Sequence, residues 1–378
     1  MYIFLFFSWV WVYNGGKYGK GEILLNRSVL AEIAVLIVLL IIAACLLVAL
    51  LQPNAAPAMG VEPSVETTTE QTQQTTAETT QPEPEWMRLP ADRRILAKQY
   101  FVYDVNQQEF LTISGTESER IFPASVTKLF TCYVALQFLQ PDQMITVGNE
   151  LDMVAAGSSV AQLRKGDQLT VSQLVEAMLL PSGNDAAYVL AANAGRVINQ
   201  NKDSGTSVGI EDHVNAFMSE MNRQTQEVGM TGASFANPDG IHRSNHYMTF
   251  RDLAILGTLS VKNPTIMKNA VVSSDIIEFA NRGEQAQTTP VYEGSSTQEL
   301  SATSVKWQNT NALIDPASEY YCPYATGLKT GQTPSAGSCL LSSFSYEGKD
   351  YIIGVFGCPE TEDRFADTLQ LFNKTIGY

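Results

Sequence analysis

Residues 122–131 read Phe-Pro-Ala-Ser-Val-Thr-Lys-Leu-Phe-Thr. Apolar residues recur at helical spacing from Ser125 to Gln140, which predicts a helix over this range. Ser125 falls in its first turn, and Lys128, three residues later, lies on the same face. A serine hydroxyl becomes a good nucleophile when a base takes its proton, and a lysine can be that base if desolvation and nearby positive charge lower its pKa. The stretch therefore predicts a nucleophile and its base, at a helix N-terminus whose backbone N–H groups can stabilise an oxyanion.

Two shorter motifs accompany this pair. Ser-Gly-Asn at residues 182–184 falls between two predicted helices, where a turn can project a hydroxyl and an amide into a cleft. Lys-Thr-Gly at residues 329–331 precedes a strand-like run, where the lysine and the threonine hydroxyl can bind a carboxylate. Each motif alone is better explained as an ordinary turn or a solvated strand edge. Together, and in this order, the three motifs indicate one active site for acyl transfer through a serine.

The predicted strands lie at both ends of the globular part of the chain, and predicted helices lie between them. The strands are expected over residues 99–105, 109–114, 338–346 and 351–358. The helices are expected over residues 125–140, 170–180, 185–194, 212–228 and 360–376. Thr170 and Gln173 have the spacing of a capping box. This order predicts an α+β fold, in which one antiparallel sheet has helices on its faces.

The N-terminal third has a different composition. Residues 33–51 carry no charge and are long enough to cross a bilayer as a helix. Three basic residues precede this segment and none follows until Arg88, so the positive-inside rule places residues 1–32 in the cytoplasm and the rest outside the cell. We expect an uncleaved single-pass anchor, and a cleaved signal peptide is the alternative. Residues 1–13 are apolar and aromatic but too short to span comfortably, and we assign them no function.

Residues 52–85 are rich in Thr, Gln, Glu and Pro, and they cannot bury enough apolar surface to fold. We expect a disordered spacer there and a single globular domain over residues 86–378. The formal net charge of −15 argues against nucleic acid as a partner. The sequence has no Cys-x-x-Cys pair and no His-x-x-x-His pair on a predicted helix, which argues against a zinc site. His213, His242 and His246 are expected to be structural.

The segments around the motifs resemble those of the penicillin-recognising serine enzymes. Within that group, the chain is similar to the D-alanyl-D-alanine carboxypeptidases of peptidase family S11, the low-molecular-mass penicillin-binding proteins, over roughly residues 98–378. The matching segments are Phe-Pro-Ala-Ser-Val-Thr-Lys-Leu-Phe-Thr at 122–131, Gly-Asp-Gln-Leu-Thr-Val at 166–171, Leu-Pro-Ser-Gly-Asn-Asp-Ala-Ala at 180–187, Phe-Ala-Asn-Pro-Asp-Gly at 235–240, Asn-Thr-Asn-Ala-Leu at 309–313 and Gly-Leu-Lys-Thr-Gly-Gln-Thr at 327–333. The resemblance implies a DD-peptidase catalytic domain over residues 86–378, with an inserted helical subdomain.

The resemblance also implies a role for each motif residue. Ser125 attacks the carbonyl between the two terminal D-alanines of a peptidoglycan stem peptide, and Lys128 accepts its proton. Ser182 and Asn184 relay protons and position Lys128 and the substrate. The substrate-binding residues are Lys329, Thr330, Gly331 and Gln332: the first two hold the terminal carboxylate, and the backbone N–H groups of Ser125 and Gln332 form the oxyanion hole. The resemblance further implies that no metal or organic cofactor is needed, and that β-lactams would acylate Ser125 as covalent inhibitors.

The chain departs from the family pattern in three places. Members of the family are typically held at the membrane by a C-terminal amphipathic helix, whereas here the N-terminal span must anchor the domain. The gap between the second and third motifs is long, which predicts a surface insertion near the cleft at about residues 273–304. Finally, Gln332 follows the Lys-Thr-Gly motif, so side-chain preferences at the site are expected to differ.

Three other functions are open at this point. A class A β-lactamase also needs a glutamate that activates water, and Glu211 has suitable spacing to Asn215. We interpret Glu211 instead as part of the acidic start of a helix. A DD-transpeptidase would pass the acyl group to an amine, and a wall-binding domain of the same fold would have no catalysis. Cys339 and Cys358 lie in successive predicted strands, and the sequence leaves open whether they pair or stay free, as it does for Cys132 and Cys322.

Overall fold

The computed structural model describes residues 93–200, 208–283 and 296–377, all within one compact unit, residues 78–378. The strands are β1 (Gln99–Asp104), β2 (Glu109–Ile113), β3 (Arg120–Ile121), β4 (Met144–Thr146), β5 (Gln168–Thr170), β6 (Met248–Thr249), β7 (Ser274–Glu278), β8 (Thr297–Glu299), β9 (Ser304–Gln308), β10 (Ala325–Thr333), β11 (Gly337–Tyr346) and β12 (Lys349–Cys358). The α-helices are α1 (Thr127–Ala135), α2 (Val171–Leu179), α3 (Asn184–Gln200), α4 (Ile210–Glu227), α5 (Phe250–Val261), α6 (Pro264–Ala270) and α7 (Asp363–Ile376). The predicted cytoplasmic segment, membrane span and linker lie outside the described residues.

The main sheet joins the two ends of the described chain. Its strand order is β10-β11-β12-β1-β2, and every neighbouring pair is antiparallel. Because side chains alternate along a strand, Phe101 faces one layer of the core and Val102 the other. Phe101 packs edge-to-face on Phe250 of α5, whereas Val102 lies in the layer that contains α7. The predicted α+β fold, an antiparallel sheet between helices, is therefore confirmed.

Helices α1 to α6 lie between β2 and β10 in the chain, and α1 is in contact with each of the other five. Eight of the nine residues of α1 are buried, so this helix has no solvent face. The predicted helix to Gln140 is too long, because the backbone tightens after Ala135: Gln137 and Phe138 each bond three residues back. The first turn, Ala124–Val126, is a 3₁₀ helix. The predicted capping box of Thr170 and Gln173 is confirmed at the start of α2.

The region predicted as a surface insertion contributes a second sheet, of order β7-β9-β8. One face of this sheet is buried, and Trp307 of β9 is fully buried there. Its indole N–H donates to the carbonyl oxygen of Ala161 at 3.0 Å. The predicted insertion is thus in part an ordered sheet, packed on the segment that precedes the Ser-Gly-Asn motif.

The four cysteines of the described residues are buried and free. Strict alternation along β11 and β12 would put Cys339 and Cys358 on the same face of the sheet. Gly357 adopts a φ of +70° beside a register shift, and this bulge turns Cys358 to the opposite face. Cys339 consequently packs in one core layer and Cys358 in the other, so a disulfide between them is excluded.

Within residues 93–200, 208–283 and 296–377, no helix is both long enough and apolar enough to span a membrane.

Candidate active site

Ser125 lies in the 3₁₀ turn that leads into α1, where two other backbone segments meet it. Gly331 of β10 passes so close that a Cβ built on it would be 3.0 Å from the Ser125 nitrogen. Gly240 has a φ of +88°, and a Cβ there would lie 1.9 Å from the carbonyl oxygen of Ala124. Both positions require glycine because any side chain would collide with the backbone beside the serine.

Lys128 follows one turn later, is completely buried, and has three polar neighbours. Its Nζ lies 2.8 Å from Ser125 Oγ, 2.7 Å from Asn184 Oδ1 and 2.8 Å from the carbonyl oxygen of Asp239. The last two atoms can only accept hydrogen bonds. A neutral amine has two N–H groups and one lone pair, so donation to those two oxygens leaves the lone pair for the hydroxyl of Ser125. The geometry therefore fits a general base aimed at the serine proton.

Burial lowers the pKa of Lys128 to about 8, against the opposing effect of the carboxylates of Asp239 and Asp185. A lysine with this pKa is neutral in a useful fraction of molecules near neutral pH. The amine of Lys329 is close enough for the charge of Lys128 to lower its pKa. Burial thus supplies the lowering of the pKa that a lysine needs to act as a base near neutral pH, and that a histidine would not need.

The Ser-Gly-Asn motif forms the turn between α2 and α3. Ser182 has a φ of +63°, a strained conformation for a residue with a Cβ. A Cβ on Gly183 would lie 2.7 Å from the carbonyl oxygen of Ala177, so the turn needs glycine. Asn184 begins α3, and its N–H donates to the carbonyl oxygen of Ser159 at 2.9 Å. This anchor holds the Asn184 amide against Lys128.

The Lys-Thr-Gly motif lies in the interior of β10. Lys329 is completely buried, and Nζ donates to the carbonyl oxygen of Thr330 at 3.2 Å. Burial, and next the charges of Lys128 and Arg364, hold the pKa of Lys329 well below its usual value. Arg364 of α7 donates to the carbonyl oxygen of Gly331 at 3.3 Å. Two buried basic side chains therefore lie at this strand, one in it and one beside it, and an anion is the ligand that best stabilises their charged forms.

Thr310 links the second and third motifs. Its hydroxyl lies 2.5 Å from the hydroxyl of Thr330, and its N–H donates to the carbonyl oxygen of Leu180, just before the Ser-Gly-Asn turn. Gln332 is exposed at the end of the site and pairs in register with Ser338. The structure thus joins Ser125, Lys128 and Asn184 by direct contacts and places β10 beside them.

Comparisons with known proteins agree with this geometry. The family model described as D-alanyl-D-alanine carboxypeptidase, peptidase family S11, matches residues 85–360. The chain belongs to this family. It is 30% identical over 253 residues to a D-alanyl-D-alanine carboxypeptidase of Streptomyces sp. (strain K15), covering 66% of this chain and 77% of the relative. It is 26% identical to the carboxypeptidase DacF of Bacillus subtilis, covering 68% of this chain and 56% of that protein. The crystal structure of the Streptomyces K15 DD-transpeptidase superposes with a TM-score of 0.62 at 25% identity, covering 76% and 99% of the two chains.

Several residues of this S11 site carry no sequence motif of their own. Asp239 and Thr310 lie inside segments that resemble the family, but spacing alone assigns them no contact. Arg364 belongs to a helix that the sequence predicts only as a C-terminal element. Asp185 is fully enclosed and accepts from the N–H groups of Ala161 and Leu163 at 2.9 and 3.0 Å. These contacts join segments far apart in sequence, and only the fold brings them together.

The histidines do not form a metal site in the described part of the chain, where no group of three or more potential ligands lies together. His246 is buried, accepts from the N–H of Ala236 at 3.2 Å and lies 2.8 Å from the Thr127 hydroxyl. Burial lowers the pKa of His246 to about 4, so it stays neutral and ties the Asp239 loop to α1. The predicted structural role of this histidine is confirmed.

Proposed function

We propose that this chain is a serine-type carboxypeptidase that removes the terminal D-alanine from peptidoglycan stem peptides. The observation that carries the proposal is the position of Lys128 Nζ, which has two pure acceptors and the Ser125 hydroxyl around it. The family and its DD-peptidase structural relatives supply the substrate class. The buried cations beside β10 suit a peptide that ends in a carboxylate.

The proposed reaction has two steps. Ser125 Oγ bonds to the carbonyl carbon of the penultimate D-alanine as its proton passes to Lys128 Nζ. The oxyanion is stabilised by the N–H groups of Ser125 and Gln332. The C–N bond then breaks, the proton goes to the departing D-alanine nitrogen, and water hydrolyses the acyl-enzyme. Lys329 and Thr330 hold the terminal carboxylate, with the Thr310 hydroxyl next to Thr330.

A fluorescent penicillin and a peptide ending in D-Ala-D-Ala test this proposal with the full-length protein in detergent. The wild type should label covalently and release D-alanine. Ser125→Ala should do neither, whereas Ser118→Ala, which changes an exposed serine in a turn before the first motif, should do both. Full labelling of Ser125→Ala would show that another residue is the nucleophile.

A DD-transpeptidase is the second candidate, because a structural relative carries that description. It shares the acyl-enzyme and differs only in the acceptor, so adding an amino-acid amine to the peptide assay separates the two. A new peptide bond as the main product would favour transfer, and free acid as the main product would favour hydrolysis. The β-lactamase alternative is weaker, since Glu211 is exposed in the first turn of α4. A non-catalytic wall-binding role leaves the assembled Ser125–Lys128 pair without a purpose.

We further propose that residues 33–51 anchor the protein as a single-pass helix, with residues 52–85 as a spacer and the S11 domain on the cell-wall side of a bacterial membrane. The uncharged segment and the basic residues before it support this orientation. Protease added to spheroplasts should then release a soluble fragment that binds penicillin. A domain that resists protease until the cells are lysed would contradict the orientation.

A further inference from the structure

The loop between α4 and β6 crosses the start of α1 and is held there by several bonds. The carbonyl oxygens of Pro238 and Asp239 accept from Thr131 Oγ1 at 2.7 Å and from Lys128 Nζ at 2.8 Å. Gly240 lies against the backbone beside Ser125, as its near-contact with Ala124 requires. The position of the Asp239 side chain is therefore set by the same contacts that set the base.

The carboxyl group of Asp239 is enclosed, and only one of its oxygens has a hydrogen-bond partner. The residue is 1% exposed. Oδ1 accepts from the N–H of Ile241 at 3.2 Å, whereas Oδ2 is buried with no hydrogen-bond partner among the described residues. A buried carboxylate oxygen without a donor is costly unless a nearby positive charge compensates for it.

Lys128 supplies that charge. Burial raises the pKa of the Asp239 carboxyl above its usual value, and the charges of Lys128 and then Arg243 oppose that rise. Burial lowers the pKa of Lys128, and the charges that raise it are those of Asp239 first, then Asp185 and Cys132. Asp185 already accepts from three backbone N–H groups, of Ala161, Leu163 and Ala186. Asp239 is consequently the carboxylate that still has an oxygen available to stabilise a positive charge on Lys128.

We propose that the carboxylate of Asp239 is a positioning residue for Lys128, and that it stabilises the ammonium formed when Lys128 takes the proton of Ser125. This inference rests on the proposed acyl-transfer function. In acylation the Ser125 O–H bond breaks, its proton joins the lone pair of Nζ, and the oxygen bonds to the carbonyl carbon. The carbonyl oxygen of Asp239 directs the lone pair, and its side chain offsets the positive charge that develops.

Two effects of opposite sign follow from removing this charge. Without the carboxylate, the ammonium is less stable, so Lys128 becomes neutral at lower pH. The acid limb, which is the rise of the acylation rate with pH, then moves to lower pH. The same loss leaves the developing ammonium less stabilised in the transition state, so the maximum rate falls. A purely structural defect would lower the rate without moving the limb, which distinguishes the two explanations.

The test is the second-order rate of acylation by fluorescent penicillin from about pH 5 to about pH 10 in full-length protein. For Asp239→Asn we expect a maximum about tenfold lower and an acid limb shifted down by about one pH unit. Asp239→Ala should shift the limb in the same direction. Asp152→Asn, which removes an exposed carboxylate paired with Lys165, should match the wild type.

Each other outcome overturns the inference. A lower rate with an unmoved limb, in variants with wild-type thermal unfolding, would mean that Asp239 acts only through its backbone. An unchanged rate and limb would mean that its side chain has no role. If the wild type itself is not acylated, the proposed function fails instead, so the two failures are distinguishable.

Discussion

The buried position of Lys128 predicts a steep pH dependence for acylation by the wild-type enzyme. Burial holds the pKa of this amine at about 8, and only the neutral form can take the proton of Ser125. The fraction of neutral amine is then about one tenth at pH 7 and about nine tenths at pH 9. The expected acylation rate constant is therefore about ten times greater at pH 9 than at pH 7.

The assay is stopped-flow or gel-based labelling with fluorescent penicillin. At limiting penicillin concentration the measured quantity is the second-order rate constant, whose pH dependence reports the pKa values of the free enzyme. Ser125→Ala gives the background of non-specific labelling at each pH, and β-lactam hydrolysis by the buffer is subtracted. Asn184→Ala is a second probe, because it removes one of the two acceptors that orient Nζ. We expect a lower maximum for this variant.

A wild-type rate that is equal at pH 7 and pH 9 would refute the reasoning. It would mean either that Lys128 is already neutral well below pH 7, or that another group takes the proton. The burial of Lys128 and the absence of a direct carboxylate bond to its Nζ among the described contacts are the basis of the predicted value.

Two further predictions concern close packing and a buried acid. Gly331→Ala should slow acylation about tenfold or more, since its Cβ would lie 2.9 Å from the carbonyl oxygen of Pro123 and 3.0 Å from the Ser125 nitrogen. The matched control is Gly209→Ala, in which the nearest atom to the new Cβ would be 3.6 Å away. Equal acylation rates in the two variants would contradict the close-packing argument. Burial, with Asp275 nearby, raises the pKa of Glu176 to about 7, so the folded state favours the protonated acid. Its contribution to stability is present below about pH 4.5 and is lost as the pH rises to about 7, on the order of 1–3 kcal/mol. Glu176→Gln should remove that part of the pH dependence in thermal unfolding, and an unchanged slope would show that Glu176 does not titrate in this range.

The parts of this site that lie within one element could be predicted from the sequence. Ser125 and Lys128 are one turn apart, so helical geometry alone brings them together, and the structure places Nζ 2.8 Å from Oγ. The strands at both chain ends were predictable from alternation, and they do form one sheet. Helix α1 ends at Ala135, earlier than its apolar pattern predicts, because the apolar pattern continues into a turn whose backbone bonds run three residues back rather than four.

Contacts between distant segments could not be predicted, because no local pattern encodes them. Thr310 lies in a loop, and its contact with Thr330 depends on where β9 ends relative to β10. Cys358 shows the same limit: alternation places it on the face of Cys339, and one bulged residue with a positive φ at Gly357 reverses it. The strands of the β7-β9-β8 sheet are three to five residues long, and β7 exposes an apolar residue, Ile276, so the alternation is too weak to detect.

Burial of Lys128 and Lys329 connects the two requirements of the proposed reaction. Both amines are completely enclosed, and the charge of Lys128 adds to burial in lowering the pKa of Lys329. Burial favours a neutral Lys128, which is what a general base needs, and it likewise disfavours the charged form of Lys329. A substrate carboxylate beside Lys329 and Thr330 would supply a counter-ion, so binding of the anion is strongest when Lys329 is charged. The paired lysines thus allow an anionic substrate to be held by one amine while the other remains free to act as the base.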